Sequence, residues 1–101
     1  MKVIYTQQSL ESLHECLLFL SEELGIPIEK VSQIKSQILD KADSLEQNPF
    51  LGQKEEYLEH LGQGHRRLIE GHFKIIYLVG KDAVYITDIF DSRQDPEKMK
   101  G

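Results

Sequence analysis

His65-Arg66-Arg67-Leu68-Ile69-Glu70, Gly71, His72-Phe73-Lys74-Ile75-Ile76-Tyr77-Leu78-Val79, Gly80-Lys81-Asp82 and Ala83-Val84-Tyr85-Ile86-Thr87-Asp88-Ile89-Phe90 follow one another without a break. Three runs rich in β-branched and aromatic residues, divided by a lone glycine and by a Gly-Lys-Asp turn, predict three consecutive strands. Connections this short make them an antiparallel meander. Everything upstream has to be reconciled with that sheet.

Upstream, the hydrophobic period changes. Leu10, Leu13, Leu17, Leu20 and Leu24 recur at steps of three and four, one stripe of a helix that Thr6 or Ser9 would cap and Gly25 followed by Ile26-Pro27 would end. A second helix carries Ile28, Val31, Ile34, Ile38, Ala42 and Leu45 on one face, with Glu29, Lys30, Lys35, Asp40, Lys41 and Asp43 on the other. Asn48-Pro49 stops it, because proline lacks an amide hydrogen and clashes with the preceding turn. The short loop between Gly25 and Ile28 predicts an antiparallel helical hairpin. Lys2-Val3-Ile4-Tyr5 reads as a first strand, and residues 49–64 as an irregular connector with a helical turn around Glu55–Leu61. The expected class is α+β in the order β-α-α-β-β-β, with the hairpin on one face of a mainly antiparallel sheet and the other face exposed. No repeat, low-complexity tract or linker interrupts the chain, so residues 1–101 are expected to form one domain.

Composition narrows the function. The chain has 101 residues and a formal net charge of −5, which disfavours a protein built to coat nucleic acid. Residues 1–64 hold five Lys and eleven Asp or Glu, 5 − 11 = −6; residues 65–101 hold seven Lys or Arg and six acids, 7 − 6 = +1. All three arginines, Arg66, Arg67 and Arg93, lie in the second part. One cysteine, Cys16, rules out an intramolecular disulfide, and its apolar neighbours predict a buried small hydrophobe rather than a nucleophile. Neither a signal-peptide pattern nor an apolar run of membrane-spanning length is seen, which predicts a cytoplasmic protein with no membrane partner.

Arginine suits bidentate contact with phosphate or carboxylate, so Arg66, Arg67 and Arg93 are candidate anion binders; pairing with acids such as Glu70 and Asp95 is the alternative. His60, His65 and His72 fall within thirteen residues, but at spacings of neither a zinc finger nor a metalloprotease helix. No metal and no cofactor is expected. His65 or His72 could serve as a general acid or base, since imidazole titrates near neutrality.

The stretch His65–Tyr77 resembles the paired strands of the RelE/ParE superfamily of bacterial toxins. The tail Ile89-Phe90-Asp91-Ser92-Arg93-Gln94-Asp95-Pro96-Glu97-Lys98-Met99 is similar to that superfamily's closing motif, Arg-x-Asp/Asn-Pro-x-Lys after a strand. Asn48-Pro49 followed by Gly52 is similar to its pattern after the second helix. The resemblance covers essentially the whole chain and implies a growth-inhibiting toxin of a type II toxin–antitoxin pair, often called a plasmid stabilization protein, held inactive by a small antitoxin.

Two branches differ in target. RelE-like members are ribosome-dependent endonucleases that cut mRNA; ParE-like members inhibit DNA gyrase and have no established catalytic residues. If the chain is a nuclease, the resemblance makes Arg66, Arg67 and Arg93 the catalytic set, with His65 or His72 as acid or base. Six residues past Arg93, where a RelE-like toxin would offer a tyrosine, stands Met99, whose thioether moves no proton, and Lys54 is the connector's only lysine. Neutralising several RNA phosphates needs a basic patch, so direct nucleic-acid binding is expected to be weak or absent. The balance favours the ParE-like branch, with DNA gyrase rather than the ribosome as target. A family member that only binds antitoxin is the third reading. Phe50, Leu51 and Tyr57 are expected to be exposed and covered by the antitoxin.

Overall fold

The computed structural model describes residues 1–101. Strand β1 (Lys2–Tyr5) leads into helices α1 (Gln7–Glu22) and α2 (Ile28–Asp43), then β2 (Gln53–Lys54), β3 (Arg66–Glu70), β4 (Phe73–Val79) and β5 (Ala83–Asp91). The sheet order is β1-β5-β4-β3-β2. β1 lies parallel to β5, with Val3 beside Val84; every other pairing is antiparallel. The expected β-α-α-β-β-β architecture is what the chain adopts, with β2 as one additional short strand inside the connector.

Local chemistry sets the boundaries. The Thr6 hydroxyl caps α1 by accepting from the Ser9 amide at 3.1 Å. At its other end the Ile26 amide reaches Leu20 O at 3.0 Å over Gly25, whose φ of +64° suits a residue without a Cβ. α2 stops before Asn48-Pro49, running instead into a 3-10 turn at Ser44–Glu46. Gly71, with φ +59°, is the first central residue of a two-residue hairpin turn, the position where a II′ turn calls for glycine.

The main core lies between the hairpin and one sheet face and includes Leu13, Leu20, Val31, Ile38, Leu68, Ile75, Tyr77, Val84 and Ile86. α1 is rotated from the leucine stripe. Its buried residues are Ser9, Ser12, Leu13, Cys16 and Leu20, whereas Leu10 and Leu24 are exposed, as is Ile28 at the start of α2. The reason is the edge of β5. β1 covers only Ala83–Ile86, so α1 side chains serve the rest: Gln8 Nε2 donates to Thr87 O at 2.8 Å and the Cys16 thiol to Ile89 O at 3.7 Å. Small polar residues fit that approach better than leucine.

The second sheet face is not left open. Strand alternation puts Ile76 on that side, and the extra residue Thr87 of β5, between the Ile76–Asp88 and Tyr77–Ile86 pairs, brings Phe90 there too; Leu58 of the 3-10 helix Glu56–Leu61 and Met99 of the tail pack on them. The Lys100 amide donates to the Asp88 carboxylate at 2.9 Å, and His65 Nε2 lies 2.9 Å from Gly101 O, which straps the tail down. The expectation of an exposed opposite face is therefore corrected: a connector helix and the tail cover much of it, because Ile76 and Phe90 supply apolar surface there.

Candidate functional site

Arg66 and Arg67 point to opposite faces, as neighbours in a strand must. Arg66 shares the hairpin side with Leu68, donating through Nη1 to Gly52 O at 2.6 Å with its guanidinium 5.0 Å from the centre of the Phe50 ring. Beside it the Gly52 amide donates to the Tyr77 hydroxyl at 2.9 Å. A Cβ on Gly52 would overlap the Arg67 carbonyl and come within 2.7 Å of that hydroxyl, so glycine is what lets the connector approach the sheet.

Arg67, on the other face, donates to Lys54 O and to Gln53 Oε1, with Glu55 at 3.9 Å. Glu55 is buried and takes Lys74 Nζ at 2.9 Å and the Tyr57 amide at 3.0 Å. Burial alone pushes its carboxyl up; the Lys74 hydrogen bond, the Tyr57 amide and the Lys74 and Arg67 charges outweigh that and hold it below its ordinary range.

Arg93 stands elsewhere. It grips the buried Asp91 carboxylate with two parallel bonds, Nε to Oδ1 at 2.9 Å and Nη2 to Oδ2 at 2.7 Å. Burial pushes Asp91 up, but the Arg93 hydrogen bonds and charge, with a smaller contribution from His72, hold it low. The acids that engage the arginines are thus Glu55 and Asp91, not Glu70 or Asp95.

The register keeps the two groups apart. Arg66 aligns with Tyr77 and through it with Ile86; Asp91 aligns with Phe73, four residues further along β4, roughly 13 Å at the rise of an antiparallel strand. Arg93 lies two residues beyond that. His65 is buried at the Arg66 end, with no partner for Nδ1. His72 is exposed in the turn at the Arg93 end, its carbonyl accepting from the Ser92 amide at 2.8 Å and hydroxyl at 2.7 Å. The three arginines and two histidines do not converge on one phosphate-sized space.

Phe50, Leu51 and Tyr57 are exposed as expected, at 63%, 53% and 48%. Leu51 faces a groove at the sheet edge with Lys41, Arg67 and Ile69, and Phe50 carries Arg66. Tyr57 lies apart, on the 3-10 helix of the second face. Met99, the residue in place of a tyrosine, is a packing residue against Leu58, Ile76 and Phe90. Sequence reasoning missed Ile69, Lys41 and the Glu55–Lys74 pair. The Gly52–Tyr77 contact had a signal in the glycine after Asn48-Pro49; the Glu55–Lys74 pair, nineteen residues apart, had none.

Chemically, each arginine is already committed to an internal acceptor, and what remains at the surface is apolar side chains beside a few cations. That inventory suits contact with a protein better than in-line attack on a phosphodiester. A family model described as the ParE toxin of the type II toxin–antitoxin system parDE matches residues 3–96. No curated protein matches the chain.

Proposed function

The chain belongs to the ParE toxin family of type II toxin–antitoxin systems, and we propose that it poisons its target, DNA gyrase, by protein contact and is neutralised by a cognate antitoxin. The observation that carries this reading is the separation of Arg66 and Arg67 from Arg93, each held by its own internal acceptor. An mRNA endonuclease needs cations aimed at one scissile phosphate and a proton carrier beside it. Met99 in the second core, in place of a tyrosine, supports the same side. Phe50, Leu51 and Tyr57 are the residues proposed to meet the antitoxin. No helix is long and apolar enough to cross a membrane; a cytoplasmic location follows from the proposed target.

Two assays on the purified chain decide. Inhibition of gyrase supercoiling with no cleavage of ribosome-bound mRNA is the expected result, reversed by adding the antitoxin. Cleavage that disappears in Arg93→Ala or Arg66→Ala would overturn the reading in favour of the endonuclease. Activity in neither assay would point to an antitoxin-binding member without toxicity.

A further inference from the structure

Between β2 and β3 the chain closes around a cavity of about 510 Å³, lined by Lys54, Glu55, Glu56, Glu59, His65 and two glycines, and by no apolar residue. Glu55 is already engaged by Lys74 and the Tyr57 amide. Glu56 and Glu59 are not. They stand three apart in the 3-10 helix, where side chains at that spacing eclipse, so their carboxylates share one side. Both are exposed, and neither forms an ion pair, with Lys54 or any other base. Like charges so placed repel each other unless a cation lies between them.

His65 adds a feature of a different kind. The residue is only 2% exposed, and its Nε2 lies 2.9 Å from Gly101 O. That oxygen can only accept, so Nε2 carries the proton. Nδ1 of the neutral ring is then a buried lone pair, and no group of the chain donates to it. A buried acceptor left without a donor is costly, and a ligand that supplies one is favoured by the difference. Unpaired carboxylates beside an unfilled acceptor call for a cation that carries N–H donors. No three acids or imidazoles lie close enough to share one metal ion, so a point charge meets too few of these groups. A chain with several ammonium groups can reach them separately. We propose that this cavity binds a protonated aliphatic polyamine, one ammonium lying between Glu56 and Glu59 and another N–H donating to His65 Nδ1. Strongly hydrated ammonium groups also suit walls without apolar side chains.

Spermidine is the probe, titrated into the full chain at about 0.1 M salt so that diffuse attraction to an acidic protein is screened. NMR should show amide shifts confined to the connector and the start of β3, together with a shift of the His65 Nδ1 resonance. Replacing both acids, Glu56→Gln with Glu59→Gln, should weaken spermidine about tenfold. The control is Glu22→Gln with Glu23→Gln, two equally exposed acids at the end of α1, which should leave the affinity unchanged. All four positions are on the surface, and thermal melting checks that both variants are folded. N-acetyl-lysine methylamide stands in for a lysine of a partner protein and, with its single charge, should bind about tenfold more weakly than spermidine. Equal loss in both double variants would mean that spermidine is only a counter-ion and would overturn the proposal. So would a His65 Nδ1 resonance that does not move, absence of spermidine binding, or lysine amide binding as tightly, which would give the cavity to a protein side chain instead.

Discussion

Gly52 is held by its amide on the Tyr77 hydroxyl, and the space a Cβ would take is filled by the Arg67 carbonyl. Gly52→Ala must push the connector off the sheet, and the expected cost is about 2–3 kcal/mol. Tyr77→Phe keeps the ring but strands a buried amide, at about 1–2 kcal/mol. Both are read as lowered urea midpoints with unchanged m-values. Cys16 is a second case in which position decides behaviour. Burial first, then the Asp91 and Asp88 charges, push its thiol up to about 11. A thiol reagent at pH 8 should leave it unmodified in the folded chain and label it once urea unfolds the protein; rapid labelling of the native state would contradict its place against Ile89.

Among the elements, what the sequence made legible was periodicity, and what it hid was lateral neighbours. Leucines at steps of three and four located α1 but not its rotation. The face carrying Ser9, Ser12 and Cys16 is the buried one, with Gln8 and Cys16 serving the β5 edge, a demand that arises only once β1 has stopped at residue 86 of its partner. β2, two residues long, carries no pattern to detect. The tail's role was equally hidden, since only the β5 bulge brings Phe90 to the side of Ile76, where Met99 can reach both. The three arginines are plain in the sequence, but nothing there fixes the distance between them; the register does. Met99→Ala should destabilise by about 2 kcal/mol and speed hydrogen exchange at the Lys100 amide more than in the α1–α2 core. Uniform acceleration across the molecule would show that the tail is no separate unit.

For the whole molecule, buried carboxylates set the response to acid with opposite signs. Glu55 and Asp91 are held low in the folded state, so they stabilise it at neutral pH and lose that contribution as pH falls through the carboxylate range. Asp88 is pushed up by burial, against the Ser12, Lys100 and Ile89 hydrogen bonds, so its ionised form costs stability that returns on acidification. Asp88→Asn removes the opposing slope. From mildly acidic to neutral pH, the stability difference between variant and wild type should shift in the variant's favour. Urea midpoints across a pH series check this, and parallel profiles would refute it.

The pairing of β1 with β5 also governs when the molecule can exist. The Thr6 amide and hydroxyl both bond to Ile86 O, eighty residues away in the chain. A nascent polypeptide lacks that partner until nearly all of it has left the ribosome, so the first strand and the start of α1 wait through most of synthesis. Chains released before Ala83 should remain unfolded and protease-sensitive. A fold built this way presents no finished surface to any partner until its last strand has been made.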